Sequence, residues 1–337
     1  MTSAPSAAEA PGKVSAFAID DAVSVINRRE MMGYVECWWN GRWYEPPIHP
    51  KTLAQLLQAS AHHGSAIRVK RNLLVKHFIP HPQLSREEFG KFVMDFLVMG
   101  NAYLEDVPNR FGRTAHYENS LALNTRRGRD GAYWFVEKYH EAHQYEAGRI
   151  FHLIEHDVSQ ELYGKPEYLA ALQSLLLNEN ATLFRRRYYL NGAHAGFIFY
   201  LSETAMNDTD VDEIREAFRE SRGQGNFKNL FLHVPNGKKD GVQIMHLSEV
   251  AAKDEFLNIK NVTRDDILAA HRVPPQLLGV IPQNNGGFGD VRTAADIFFV
   301  NEIEALMTRT LEINGWAGDE IIRYRPYEAS SAAPPAA

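Results

Sequence analysis

The sequence predicts an α+β protein in which two long helices carry a small α/β module at one end and a loop at the other. Three observations lead there. Apolar residues recur at helical spacing over 166–191 and again over 252–271. Between these stretches, strand-like runs flank a short amphipathic segment. Directly after the second helix comes a nearly uncharged stretch, 281–289, rich in glycine and asparagine. This is the layout of a mechanical part and points away from an enzyme.

The totals fit that reading. The 337 residues are 45% hydrophobic and 23% charged, an ordinary globular balance. They suffice for roughly two or three domain-sized units with real cores. A formal charge of −6 provides no global basic field to hold the chain on nucleic acid, so any contact with DNA must be local or weak. Cys37 is the only cysteine, which rules out an internal disulfide, and a reducing compartment is expected. Its neighbours Val35, Trp38 and Trp39 suggest a buried, inert thiol. Residues 1–16 are rich in Ala, Ser and Pro without a basic-then-apolar order, so they read as a disordered leader and not a signal peptide. The Ala/Pro/Ser stretch over 329–337 reads the same way. No apolar run approaches the roughly 20 residues that would span a bilayer, so no membrane contact is expected.

In chain order, Tyr34, Trp38, Trp39, Trp43 and Tyr44 surround Asn40 and Gly41, the signal of a short hairpin. So dense an aromatic set is read as packing on a core or interface in preference to stacking on bases. Leu53, Leu56 and Leu57, with Pro50 near the start, predict a helix over 51–63. Ser85 caps the next helix, Glu87 and Glu88 lie in its first turn, and Phe89, Phe92, Val93, Phe96 and Leu97 form its apolar face until Gly100 stops it. Strands follow at 102–107, 132–136 and 150–154, making 17–160 an α+β region.

The first long helix has Pro166 near its start, Glu167 in its first turn, and Leu169, Leu172, Leu176, Leu183 and Leu190 along one face. Arg185, Arg186 and Arg187 complement its dipole, and Asn191-Gly192 is a left-handed stop. The insert carries strands at 196–201 and 230–234 around a helix capped by Thr209. The second long helix places Lys253, Lys260, Arg264 and His271 on one face. That stripe is either solvated or turned toward a neighbouring subunit or DNA, and spacing alone leaves both open. Asp290 opens a third helix with Ala294, Ile297, Phe298, Ile303 and Leu306 as its apolar positions.

Catalytic signatures are weak. His152, Glu155 and His156 match the H-x-x-E-H order of a zinc hydrolase, which needs both histidines on one helical face; here the order falls at a strand end. His140/His143 and His77/His81 are weaker still, and Pro80 breaks the helix that would align the latter pair. Gly223 and Gly225 lack the third glycine of a dinucleotide loop. Asp265 and Asp266 are adjacent on a helix and point apart. No catalytic residue, metal or cofactor is expected.

Four segments in this order resemble the phage portal proteins, and among them the PBSX-type branch of contractile-tailed temperate phages. They are Met99-Gly-Asn-Ala-Tyr-Leu-Glu105, Tyr163-Gly-Lys-Pro-Glu-Tyr-Leu-Ala-Ala-Leu172, Arg186-Arg-Tyr-Tyr-Leu-Asn-Gly-Ala-His-Ala-Gly196 and Asp266-Ile-Leu-Ala-Ala-His-Arg-Val-Pro-Pro-Gln-Leu-Leu-Gly279. No one of them is diagnostic, but together with the order of elements they cover most of 20–325. The resemblance implies a portal fold divided as follows: leader 1–16, wing 17–165, first stem helix 166–192, clip 193–250, second stem helix 251–273, tunnel-loop region 274–290, a further wing part 291–327, and tail 328–337. The crown would be small or absent. It also implies a ring of about twelve copies at one capsid vertex, with double-stranded DNA passing through it in transit and no sequence specificity. Expected partners are the terminase large subunit, which would dock on the clip and hydrolyse the ATP, together with capsid, scaffold, head-completion and neck proteins. The location would be the virion, with host cytoplasm during assembly.

Gln283, Asn284, Asn285, Gly286, Gly287 and Asp290 fall where such proteins have the loop that lines the channel. A neutral, flexible lining suits a sliding polyanion, which a basic one would retain through counterion release. Two other readings stay open at this point: a zinc-dependent hydrolase using His152, Glu155 and His156, and a capsid adaptor that forms no ring.

Overall fold

The computed structural model describes residues 37–138, 140–190, 197–201, 242–246, 249–280 and 290–328. The leader 1–16, Tyr34, the segments expected at 209–234, the loop 281–289 and the tail 329–337 lie outside the described residues.

The first helices differ from expectation. Instead of one helix over 51–63, α1 (Pro50–Leu56) ends at a turn, and a longer α2 (Ala61–His77) begins after Ser60. Ser60 is extended at φ −138°, ψ 134°, which resets the axis. Leucine spacing showed the apolar face of α1, whereas α2 buries His63 and Lys70 beside its apolar residues and so breaks the periodic pattern. α2 runs into β1 (Phe78–Ile79).

α3 (Arg86–Met99) is as expected. The Ser85 side chain accepts a hydrogen bond from the Glu88 backbone N–H, Glu87 and Glu88 lie in the first turn, and Gly100 ends the helix at φ 67°. β2 (Asn101–Pro108) follows at once and pairs antiparallel on one side with β3 (Thr114–Ser120) and on the other with β7 (Ile150–Ile154). A second three-stranded sheet, β4 (Thr125–Arg127), β5 (Tyr133–Lys138) and β6 (Glu141–Gln144), stands beside it. β3, β4 and β6 carry too many charged and polar residues to read as strands from sequence. The Asn40-Gly41 turn is present as an isolated Trp39–Tyr44 bridge; Trp43 is buried and Trp38 is exposed. Cys37 is half-buried, its thiol donating to Gln160 Oε1 at 3.4 Å, and burial pushes its pKa up.

Two glycines let the backbone cross closely ahead of the long helices. A Cβ on Gly164 would lie 1.9 Å from the Gly100 carbonyl oxygen, and one on Gly100 would lie 2.7 Å from the Pro166 nitrogen. The chain then enters a 3₁₀ turn (Glu167–Ala171) and α4 (Leu172–Leu190), so Pro166 stands just outside the first turn. β8 (Phe197–Leu201) pairs antiparallel with β9 (Val242–His246), and α5 (Glu249–Ala270) returns alongside α4. Polar ties join the two helices. Asn178 Nδ2 donates to Thr263 Oγ1 at 2.8 Å, and Ser174 Oγ donates to Asp266 Oδ2 at 2.8 Å.

A second 3₁₀ turn (Pro275–Leu278) follows α5. The third helix is broken in register. α6 (Val291–Phe298) passes through a π-turn (Phe299–Ile303) into α7 (Glu304–Thr310), then α8 (Glu312–Ala317) and β10 (Arg323–Tyr324). β10 pairs with β1, Phe78 opposite Tyr324. The C-terminal stretch therefore completes the first core: Phe298, Phe299, Ile303, Ile313, Ile321 and Ile322 pack with Phe78, Phe89, Phe92, Leu104 and Leu153. A second core joins Leu53, Leu56, Ile67 and Tyr103 to Tyr168, Leu175, Leu176 and Ile267 of the long-helix region.

Candidate functional site

The polar face of α5 differs from the sequence expectation. His271 and Arg264 are buried within the subunit, whereas Lys260 is half-buried and keeps part of its surface in solvent. The side chain of Lys253 lies outside the described residues. Spacing could not show that α2 approaches this part of α5. His271 Nε2 lies 2.8 Å from His63 Nδ1 of α2. Arg264 Nε donates to Asp265 Oδ1 at 2.9 Å. Burial lowers the pKa of Lys260, and the nearby Arg185 adds to the shift.

The two buried imidazoles are held neutral. Burial pushes His63 down to about 4, and burial with neighbouring His63, Lys70 and Arg272 pushes His271 down to about 2. Tyr168 packs against both rings and donates its hydroxyl to the Val98 carbonyl at 2.6 Å.

Beside them lies a charge node that the sequence reading missed. Glu302, inside the π-turn, accepts from Lys70 Nζ of α2 at 2.5 Å and from Arg272 Nε, just past the end of α5, at 2.5 Å. Arg272 also pairs with Glu167 at the start of the first 3₁₀ turn. The Lys70 and Glu302 side chains are only 4% and 6% exposed. Burial raises the pKa of Glu302, but the Arg272 hydrogen bond and the Lys70 charge outweigh it and hold the carboxylate below its usual range. Burial lowers the pKa of Lys70, opposed by Glu302. Four segments meet here: α2, the entry to α4, the exit from α5, and the helix after the loop. One sequence signal pointed to the node. Glu302 falls beside Ile303, one of the apolar positions of its helix.

Asp290 caps α6, accepting from the backbone N–H groups of Arg292 at 3.0 Å and Thr293 at 3.1 Å. Gln283 to Gly287 lie outside the described residues. His152 and Glu155 of the H-x-x-E-H order are engaged with separate partners. His152 is half-buried in β7, its Nε2 3.0 Å from Asn101 Oδ1. Glu155 accepts from Arg309 Nη1 at 2.5 Å. Nothing in this geometry supports a hydrolytic zinc site, and no group of three or more potential metal ligands occurs among the described residues.

The described residues form a pair of long helices with an inserted two-stranded sheet, joined to an α+β body. The family described as phage portal protein matches residues 55–316, and the chain belongs to it. It is 50% identical over 316 residues to a probable portal protein of Escherichia phage P2, covering 94% of this chain and 92% of that one. It is 34% identical over 273 residues to a probable portal protein of Haemophilus phage HP1, covering 79% of each. Among solved structures, the fold resembles a chain in the virion of a native gene transfer agent particle, with a TM-score of 0.60 at 18% identity, covering 85% of this chain and 86% of that one. It also resembles an HK97-family phage portal protein from Corynebacterium diphtheriae, with a TM-score of 0.58 at 13% identity, covering 81% and 94%. The fold is the α+β portal fold, and the protein is a portal protein.

Proposed function

We propose that copies of this chain close into a ring of about twelve, the symmetry used for the neck of the similar gene transfer agent particle, and that double-stranded DNA passes through the ring during packaging and ejection. In this reading 17–165 and 291–327 form the wing, 166–192 and 251–273 the stem, and 193–250 the clip. The terminase large subunit docks on the clip and supplies the ATP hydrolysis, so the chain itself performs no catalysis. Capsid, scaffold, head-completion and neck proteins are the other partners. The protein resides at a capsid vertex in the virion and in host cytoplasm during assembly.

The observation that carries this reading is the α4–α5 pair, with an inserted sheet at one end and a buried ionic joint at the other. It is a rigid strut of roughly 30 Å at 1.5 Å per helical residue. Exposed Leu177, Phe184 and Val262 on these helices support lateral packing between copies. The loop 281–289, with Gln283, Asn284, Asn285, Gly286 and Gly287, is assigned to the channel lining, and Asp290 to its helical anchor. Deleting 283–287 tests that assignment: rings should still form while DNA packaging or retention falls. Normal packaging without those residues removes the loop from the mechanism.

A further inference from the structure

The node around Glu302 has properties that stability alone does not explain. Arg272 adopts φ 55°, one of two non-glycine residues with positive φ among the described residues. It stands just past the end of α5, where Arg272 N donates to the Ala269 carbonyl at 2.9 Å and Val273 N to the Leu268 carbonyl at 3.0 Å. This is the left-handed helix stop normally given to glycine, and a residue with a Cβ there is strained. The strained residue uses its side chain to bridge Glu302 and Glu167, half-exposed on one side and fully engaged on the other. Glu302 in turn sits in a π-turn, a register irregularity that α-helices retain mostly at functional positions. Lys70 and Glu302 are a buried ion pair, which apolar residues of similar volume could replace without loss of stability.

The node also lies where position matters. Both long helices reach it by the same end, α4 through Glu167 and α5 through Arg272, while their other ends carry β8 and β9. A load on the inserted sheet would arrive at this joint and be passed to α2 and to the α6–α7 helix.

We infer that Lys70, Glu167, Arg272 and Glu302 form a positioning joint that fixes the angle between the α4–α5 pair and the α6–α7 helix, and that DNA passage requires this angle. The inference rests on the portal reading above. Two variants test it in the full chain, supplied to its parent phage or prophage with the gene deleted. Arg272→Gly removes the bridge and relieves the left-handed strain. Lys70→Met combined with Glu302→Leu replaces the buried ions with apolar groups. Both should melt within a few degrees of wild type and form rings, yet yield roughly tenfold fewer DNA-filled particles, the scale of a coupling between sites. Filled particles at wild-type yield from either ring-forming variant overturn the joint's role. If Arg272→Gly forms no rings, the apolar pair decides alone, and if neither variant forms rings the node is structural only and the inference falls. Failure of the wild-type chain itself to give filled particles would instead remove the portal reading.

Discussion

At the scale of single residues, the fold depends on a few close approaches and on groups kept uncharged in the interior. Gly164 is the tightest. An alanine there would drive its methyl into the Gly100 carbonyl and the Glu155 backbone, so Gly164→Ala should destabilise by about 3 kcal/mol or more through overpacking. Chemical denaturation measures it directly, and an unchanged midpoint would show that the crossing can relax. The His63–His271 pair gives a pH prediction. Burial holds both folded-state pKa values below the usual 6.5, to about 4 and about 2. The unfolded chain therefore binds more protons below 6.5, and stability present above that pH is lost as pH falls from 6.5 toward 4. Asp95 acts in the opposite sense: burial raises its carboxyl to about 6, so it adds stability as pH falls through that value. Comparison with a variant isolates the histidines. Replacing His63→Phe should flatten the slope of stability between pH 6.5 and 5 by about 1 kcal/mol per pH unit, approaching one proton's worth at the acid end. Parallel slopes for wild type and variant would contradict the pair's neutrality.

At the scale of elements, local signals and tertiary signals separate cleanly. α3 was legible in full because its cap, first-turn carboxylates, apolar face and stop are all short-range features. The two long helices and the Asp290 cap were legible for the same reason. α2 was missed beyond His63 because it buries Lys70 against Glu302, a partner 232 residues away that no window of sequence contains. The stripe on α5 was left open between solvent and a neighbour, and the contact of His271 with His63 of α2 comes from elsewhere in the chain. Apart from the position of Glu302, the node was not legible, for the same cause. What was legible of the candidate site was its frame, not its joint. Two element-level outcomes follow. Asp290→Ala removes the cap on α6 and should cost about 1 kcal/mol, read as a lowered denaturation midpoint. Val262 is 61% exposed on α5. A charge at that position, Val262→Asp, should leave the melting temperature of the monomer unchanged while reducing ring yield in size-exclusion chromatography. Normal ring yield would place the lateral contact elsewhere.

At the scale of the whole molecule, an acidic chain with a paired-helix strut, an insert at the strut's far end and an ionic joint at its base makes sense as one segment of a closed assembly. The C-terminal helices return to complete the first core and β10 pairs with β1, so the body that anchors the strut is built from both ends of the described chain. A head-to-tail contact between identical subunits closes into a ring only when its rotation permits. Electron microscopy of the purified protein, viewed down the particle axis, tests that closure most directly. Closed rings of about twelve subunits, with a central hole wider than a DNA duplex, are the predicted result. Monomers or small compact oligomers at high protein concentration would contradict it.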